Sequence, residues 1–217
     1  VLQWSQHRPS GGFTYRGTAE NGGNRSAFSC LTGNMLFALV RLGYGRDERV
    51  AKGFEWITKH QRFDLGPYPN KDWPYQYDLC WRNHTCRSGA VKVLKAIAEV
   101  PEEERTPGMV RKVEEGSEFL LAQRILYRPP ELNQISRRNW LEFGFPLMWN
   151  TDLVEILDIL GRLGVRDQRM DEAIDIVLSK QGENGRWKQE NHFAGKFVTT
   201  VETNGRDSKW VTLNALR

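Results

Sequence analysis

Three cysteines in 217 residues, Cys30, Cys80 and Cys86, are too few and odd in number for a disulfide scaffold. The N-terminus also lacks the charged-then-apolar pattern of a secretory leader, so a reducing compartment, the cytoplasm, is the expected location. Long apolar runs are missing as well. No stretch approaches the roughly 18 uninterrupted apolar residues of a membrane span, and a soluble chain without one is expected. Charge of one sign is nowhere concentrated: 31 basic and 27 acidic residues are interspersed and leave a net charge of +4. A protein that neutralises a phosphate backbone carries a basic stripe, so nucleic acid is not an expected partner. There is no Gly-x-Ser-x-Gly elbow, Ser-x-x-Lys pair, phosphate-binding P-loop or dinucleotide fingerprint, which leaves hydrolase and nucleotide readings without a motif.

What the chain does have is aromatic side chains, with eight Trp, ten Phe and six Tyr, and an internal repeat. Leu39-Val40-Arg41-Leu42-Gly43-Tyr44-Gly45-Arg46-Asp47-Glu48-Arg49-Val50 aligns with Leu160-Gly161-Arg162-Leu163-Gly164-Val165-Arg166-Asp167-Gln168-Arg169-Met170, one residue shorter. Each copy follows an apolar helix, residues 31–42 and 153–163, with Leu, Ile, Phe and Val at three- and four-residue steps. Gly43 and Gly164 then stand where a helix ends in positive φ. A second amphipathic helix follows each linker, at residues 49–61 and 169–181. A divergent middle copy comprises residues 89–100, an acidic linker with Pro101 and Pro107, and residues 110–123. A fourth copy begins at Ser208-Lys209-Trp210-Val211-Thr212-Leu213.

The expected fold is therefore all-α, a single repeat domain over residues 1–217 made of three to four antiparallel helix hairpins. A polar, Gly-rich lead at residues 10–25 precedes the first pair. Three long segments, residues 62–85, 125–149 and 182–207, run from each second helix to the next first helix, so all share one rim. Function is expected at that rim. The chain begins at Val1-Leu2-Gln3-Trp4 and stops at Leu216-Arg217 inside an apparent helix, as a fragment of a longer chain would.

The segment Leu178-Ser179-Lys180-Gln181-Gly182-Glu183-Asn184-Gly185-Arg186-Trp187 resembles the Gln-Trp repeat of squalene and related terpene cyclases. Residues 119–123 and 56–61 keep the helix and the Gln. With the helix start at Ser208, nearly the whole chain resembles the prenyltransferase and squalene-oxidase repeat family. That resemblance implies an α/α toroid around an apolar cavity, here partial or open, so that a second copy or a partner chain would close the ring. It implies an isoprenoid-like or other hydrophobic ligand and, in an enzyme, transferase- or cyclase-related chemistry. The Asp-x-Asp-Asp motif of squalene-type cyclases and the Asp-rich magnesium motif of class I terpene synthases are both absent. The Gln-Trp motif also has a purely structural reading, in which Gln and Trp tie a helix end to the following turn.

His84-Thr85-Cys86 resembles the histidine-bearing segment of protein prenyltransferase β subunits, which hold zinc. Cys30, Cys80, His84 and Cys86 are the candidate ligands, since thiolates and a neutral imidazole suit tetrahedral zinc. The alternative makes Cys30 and Cys86 packing residues, Thr85 an N-cap and His84 a hydrogen-bonded loop residue. Asp152 and His84 are candidate catalytic residues, with Asp152 equally suited to capping the helix it opens. Trp73, Tyr75, Trp81, Trp149 and Trp210 are candidate aromatic contacts for a ligand, and Lys209 a candidate for an anionic group. Two further readings stand beside the toroid enzyme: a non-catalytic helical-repeat binding module, and a carbohydrate hydrolase or lyase using Asp152 and Glu155.

Overall fold

The computed structural model describes residues 2–18, 20–23, 27–64, 85–128, 130–192 and 197–217. The chain is mostly helical, and its contacts fall into two compact units, Val1–Gly116 and Ser117–Arg217, where a single domain is expected from the sequence. No described helix is long and apolar enough to cross a membrane.

In the first unit a short helix α1 (Leu2–Ser5) and a two-residue hairpin, β1 (Gly17–Thr18) with β2 (Gly22–Gly23), lead into α2 (Ser29–Leu39). A wider turn, Val40–Tyr44, ends that helix at Gly43, whose φ of 87° is the left-handed conformation expected of the repeat. Then come α3 (Glu48–His60), α4 (Arg87–Ile97) and α5 (Pro107–Leu121), whose residues from Ser117 onward belong to the second unit. Residues 11–13 of the Gly-rich lead are tied to the rest of the unit. Phe13 is fully buried and its amide donates to Thr32 Oγ1 at 2.9 Å, while Gln6 Nε2 donates to the carbonyls of Gly11 and Arg49. Leu36, Val50, Trp56, Ile57, Val93 and Ile97 complete the core from three helices.

The close partner of α2 is α4, so the first helix of one hairpin packs on the first helix of the next. Small residues permit this. A Cβ on Gly33 would lie 2.3 Å from the carbonyl oxygen of Lys92, and one on Gly89 would lie 3.0 Å from Ser29 Cβ. The two backbones are thus nearly in contact, and nothing flexible could yield.

The second unit repeats the scheme. Helix α6 (Leu153–Arg162) ends at Gly164, with φ of 79°, α7 (Asp171–Ser179) folds back beside it, and α8 (Lys209–Ala215) packs on α6. Ser208 Oγ caps α8 by accepting from Val211 N at 3.1 Å. The sequence repeat is reproduced in atomic detail. Asp47 Oδ1 accepts the amide and the Nε of Arg49 at 2.8 and 2.9 Å, and Asp167 Oδ1 accepts the same two donors of Arg169 at the same distances. These arginines hold both carboxyls down to about 2. Arg169 also clamps both oxygens of Glu118.

The Gln-Trp motif follows its structural reading. Trp187, 1% exposed, donates its indole N–H to the Val177 carbonyl at 2.6 Å, and Gln181 Nε2 donates to Gly185 O at 3.1 Å. The amide of Trp187 reaches Thr212 Oγ1, which fixes the start of α8 to the end of α7. Trp140 is also fully buried in this unit.

Gly33→Ala is expected to lower unfolding stability by about 1–3 kcal/mol, because the added methyl separates α2 from α4. Gly161→Ala, whose Cβ meets nothing nearer than Arg166 Nη1 at 3.8 Å, is expected to raise it by roughly 0.5 kcal/mol through helix propensity. Urea denaturation of both variants checks the pair, and equal effects would contradict the close approach.

Candidate functional site

Two of the long linkers, residues 125–149 and 182–207, come together in the second unit. The joint is built from backbone amides. Asp152, 2% exposed, caps α6 by accepting Glu155 N on Oδ1 at 2.9 Å, and its Oδ2 accepts Gly144 N at 2.9 Å. Gln189, fully buried, grips Phe145 from the other side: its Oε1 accepts the Phe145 amide at 3.1 Å and its Nε2 donates to the Phe145 carbonyl at 3.0 Å. Glu190 Oε2 accepts Phe143 N, and Gly144 lies so close to Asn191 O that a Cβ would sit 2.2 Å away. Lys180 Nζ contacts both oxygens of Glu190 and stands 4.7 Å from the Phe143 ring. Residues 143–146 are thereby fastened to residues 189–191.

Above this joint lies a solvent-open cleft of about 490 Å³. Phe145 and Pro146 form one wall, and His192 with residues 197–204 forms the rest. Phe145 is stacked on Trp210 with ring centroids 4.9 Å apart and planes at 19°, so the wall is anchored to α8. Phe197, Val198 and Val201 supply further apolar surface, and Thr199, Thr200 and Thr203 supply hydroxyls. The Asn204 amide donates to His192 Nδ1 at 2.9 Å. Among the described lining residues Glu202 is the one carboxylate, and none is Lys or Arg. A volume of this size is within the roughly 300–1,000 Å³ of small-molecule sites.

The residues singled out from sequence are distributed as follows in the structure. Trp210 lies behind the cleft wall, with Lys209 Nζ 5.5 Å from its ring centroid. Asp152 and Glu155 are both buried, and Asp152 spends its two oxygens on backbone amides, so it positions the wall rather than facing the cleft. Trp149 is 56% exposed and absent from the cleft lining. Trp73, Tyr75, Cys80, Trp81 and His84 lie outside the described residues.

Cys30 and Cys86 are neighbours: a Cβ on Gly89 would lie 3.6 Å from Cys86 Cβ and 3.7 Å from Cys30 N. Burial, with Cys86 adding to it, pushes the Cys30 thiol up to about 12 against the opposing charge of the buried Lys92. Among the described residues no group of three or more His, Cys, Asp or Glu comes together, and Cys80 and His84, the other two candidate zinc ligands, lie outside those residues. Thr85 is not the cap of α4. Cys86 occupies that position with no side-chain cap bond, while Thr85 Oγ1 donates to Arg62 O and accepts Asp64 N.

Phe145, Gln189, His192, Glu202 and Asn204 were not apparent in the sequence as site residues, although all lie in linkers placed at the shared rim.

Asp152→Ala is expected to lower stability by about 2 kcal/mol, through loss of a cap and a buried acceptor. Asp152→Asn keeps one acceptor oxygen and should cost about half as much. Urea unfolding measures both, and an Asp152→Ala variant within 0.5 kcal/mol of the parent, roughly the scatter of neutral substitutions, would contradict the assignment. No family profile, curated protein or solved structure was found to match this chain.

Proposed function

We propose that this chain is a helical-hairpin repeat protein of open α/α-toroid type that binds a hydrophobic, isoprenoid-like small molecule. The cleft lined by Phe145, Pro146, His192 and residues 197–204 is its binding site. The observation that carries this reading is the cleft itself, with Phe145, Pro146, Phe197, Val198 and Val201 as its apolar surface and one wall built on a joint of side-chain to backbone bonds. A wall held in place before binding reduces the ordering cost of association.

The toroid part draws on the packing of first helix on first helix, α2 with α4 and α6 with α8, which is how inner helices follow one another around such a ring. The repeated Asp-x-Arg cap and the Gln-Trp tie agree with it. Phe145 carries most of the contact, because its half-buried ring lines the cleft and is backed by Trp210. Cyclisation started by an acidic Asp-x-Asp-Asp motif is not part of the proposal, and binding is the activity put forward.

Titration calorimetry with geraniol is the test. Saturable binding at one site per chain is expected, weakened about tenfold by Phe145→Ala, which removes an aromatic contact of about 1–2 kcal/mol. Absence of saturable binding, or equal affinity in the variant, would overturn the proposal.

A further inference from the structure

We infer that the natural ligand of this cleft carries a cationic head, an ammonium group on a hydrophobic body; the inference rests on the reading of the cleft as a hydrophobic-ligand site. Charge decides between head groups. Glu202 is the one Asp, Glu, Lys or Arg among the described residues of the lining. A diphosphate or carboxylate head would enter against the charge of this carboxylate.

The Glu202 carboxylate is also incompletely satisfied. Its Oε1 is shut from solvent and accepts no hydrogen bond within the protein. A desolvated carboxylate oxygen without a donor is costly, and a positive charge in the adjoining cleft relieves that cost. Aromatic rings add to the preference. Phe145 and Phe197 both line the cleft, and the face of an aromatic ring attracts a cation within about 6 Å. His192 is engaged with Asn204, and the three threonines offer hydroxyls that suit a neutral head as readily as a charged one. The carboxylate and the rings are therefore what distinguish a cation. Bulk attraction does not account for such a preference, since the chain carries a net charge of +4.

The test compares three probes of one carbon skeleton on the intact chain by calorimetry at fixed ionic strength: geranylamine, geraniol and geranyl diphosphate. Geranylamine is expected to bind about tenfold more tightly than geraniol, as one charge-assisted contact allows, and geranyl diphosphate most weakly. Glu202→Gln should abolish the roughly tenfold advantage of the amine over geraniol. If geraniol binds and geranylamine binds no more tightly, the inference is wrong. It is equally overturned if the amine advantage survives Glu202→Gln or if the diphosphate binds tightest. Failure of all three probes to bind overturns the hydrophobic-ligand reading beneath it.

Discussion

One buried carboxylate holds the second unit's site together. Asp152 begins α6, and its two oxygens take amides from opposite directions: Glu155 N from the helix and Gly144 N from the linker. A carboxylate that accepts backbone donors makes the stronger, charge-assisted kind of hydrogen bond. Here it converts a helix end into an anchor for a wall. Phe145 follows Gly144 directly, Gln189 holds the Phe145 backbone from the second linker, and Trp210 backs its ring from α8. The cleft thus inherits its shape from a helix N-terminus, a buried amide side chain and a stacked ring pair.

The helices are arranged by a steric constraint of the same economy. Gly33 and Gly89 let α2 and α4 approach until the backbone of one nearly meets the other, and larger residues fill the space on either side. Hairpins then need little besides a left-handed glycine to end the first helix and a capped start to the second. Both copies use the same solution, Gly43 with Asp47 and Arg49, and Gly164 with Asp167 and Arg169. The ion pairs are exposed and contribute little energy. Their value is geometric, since the same residue that caps the helix is gripped by the guanidinium two positions on.

Much of this was legible in the sequence. Helical period, the glycines at 43 and 164 and the helix start at Ser208 placed the helices within a few residues of where they lie, because each signal acts between neighbours in the chain. The Gln-Trp motif was legible as a tie for the same reason. Features that depend on distant partners were not. Phe13 looks like part of a polar lead, yet it is buried because its amide finds Thr32, 19 residues on. Thr85 has the residue type of a cap, but its hydroxyl is taken by the chain at Arg62 and Asp64. Nothing local in residues 143–146 announces that Gln189 will hold Phe145 from 44 residues away. The linkers could be delimited from the sequence, but the residues that meet within them could not.

The central claim is that the paired linkers of the second unit form the ligand site. Its most direct measurement is a two-dimensional amide NMR titration of isotope-labelled protein with geraniol. The account predicts that shifts concentrate at Phe145, His192, Glu202 and Asn204, with the indole resonance of Trp210 moving as the Phe145 ring it stacks on responds. Shifts confined to the neighbourhood of Cys30 and Cys86, with those cleft resonances unmoved at saturation, would contradict it.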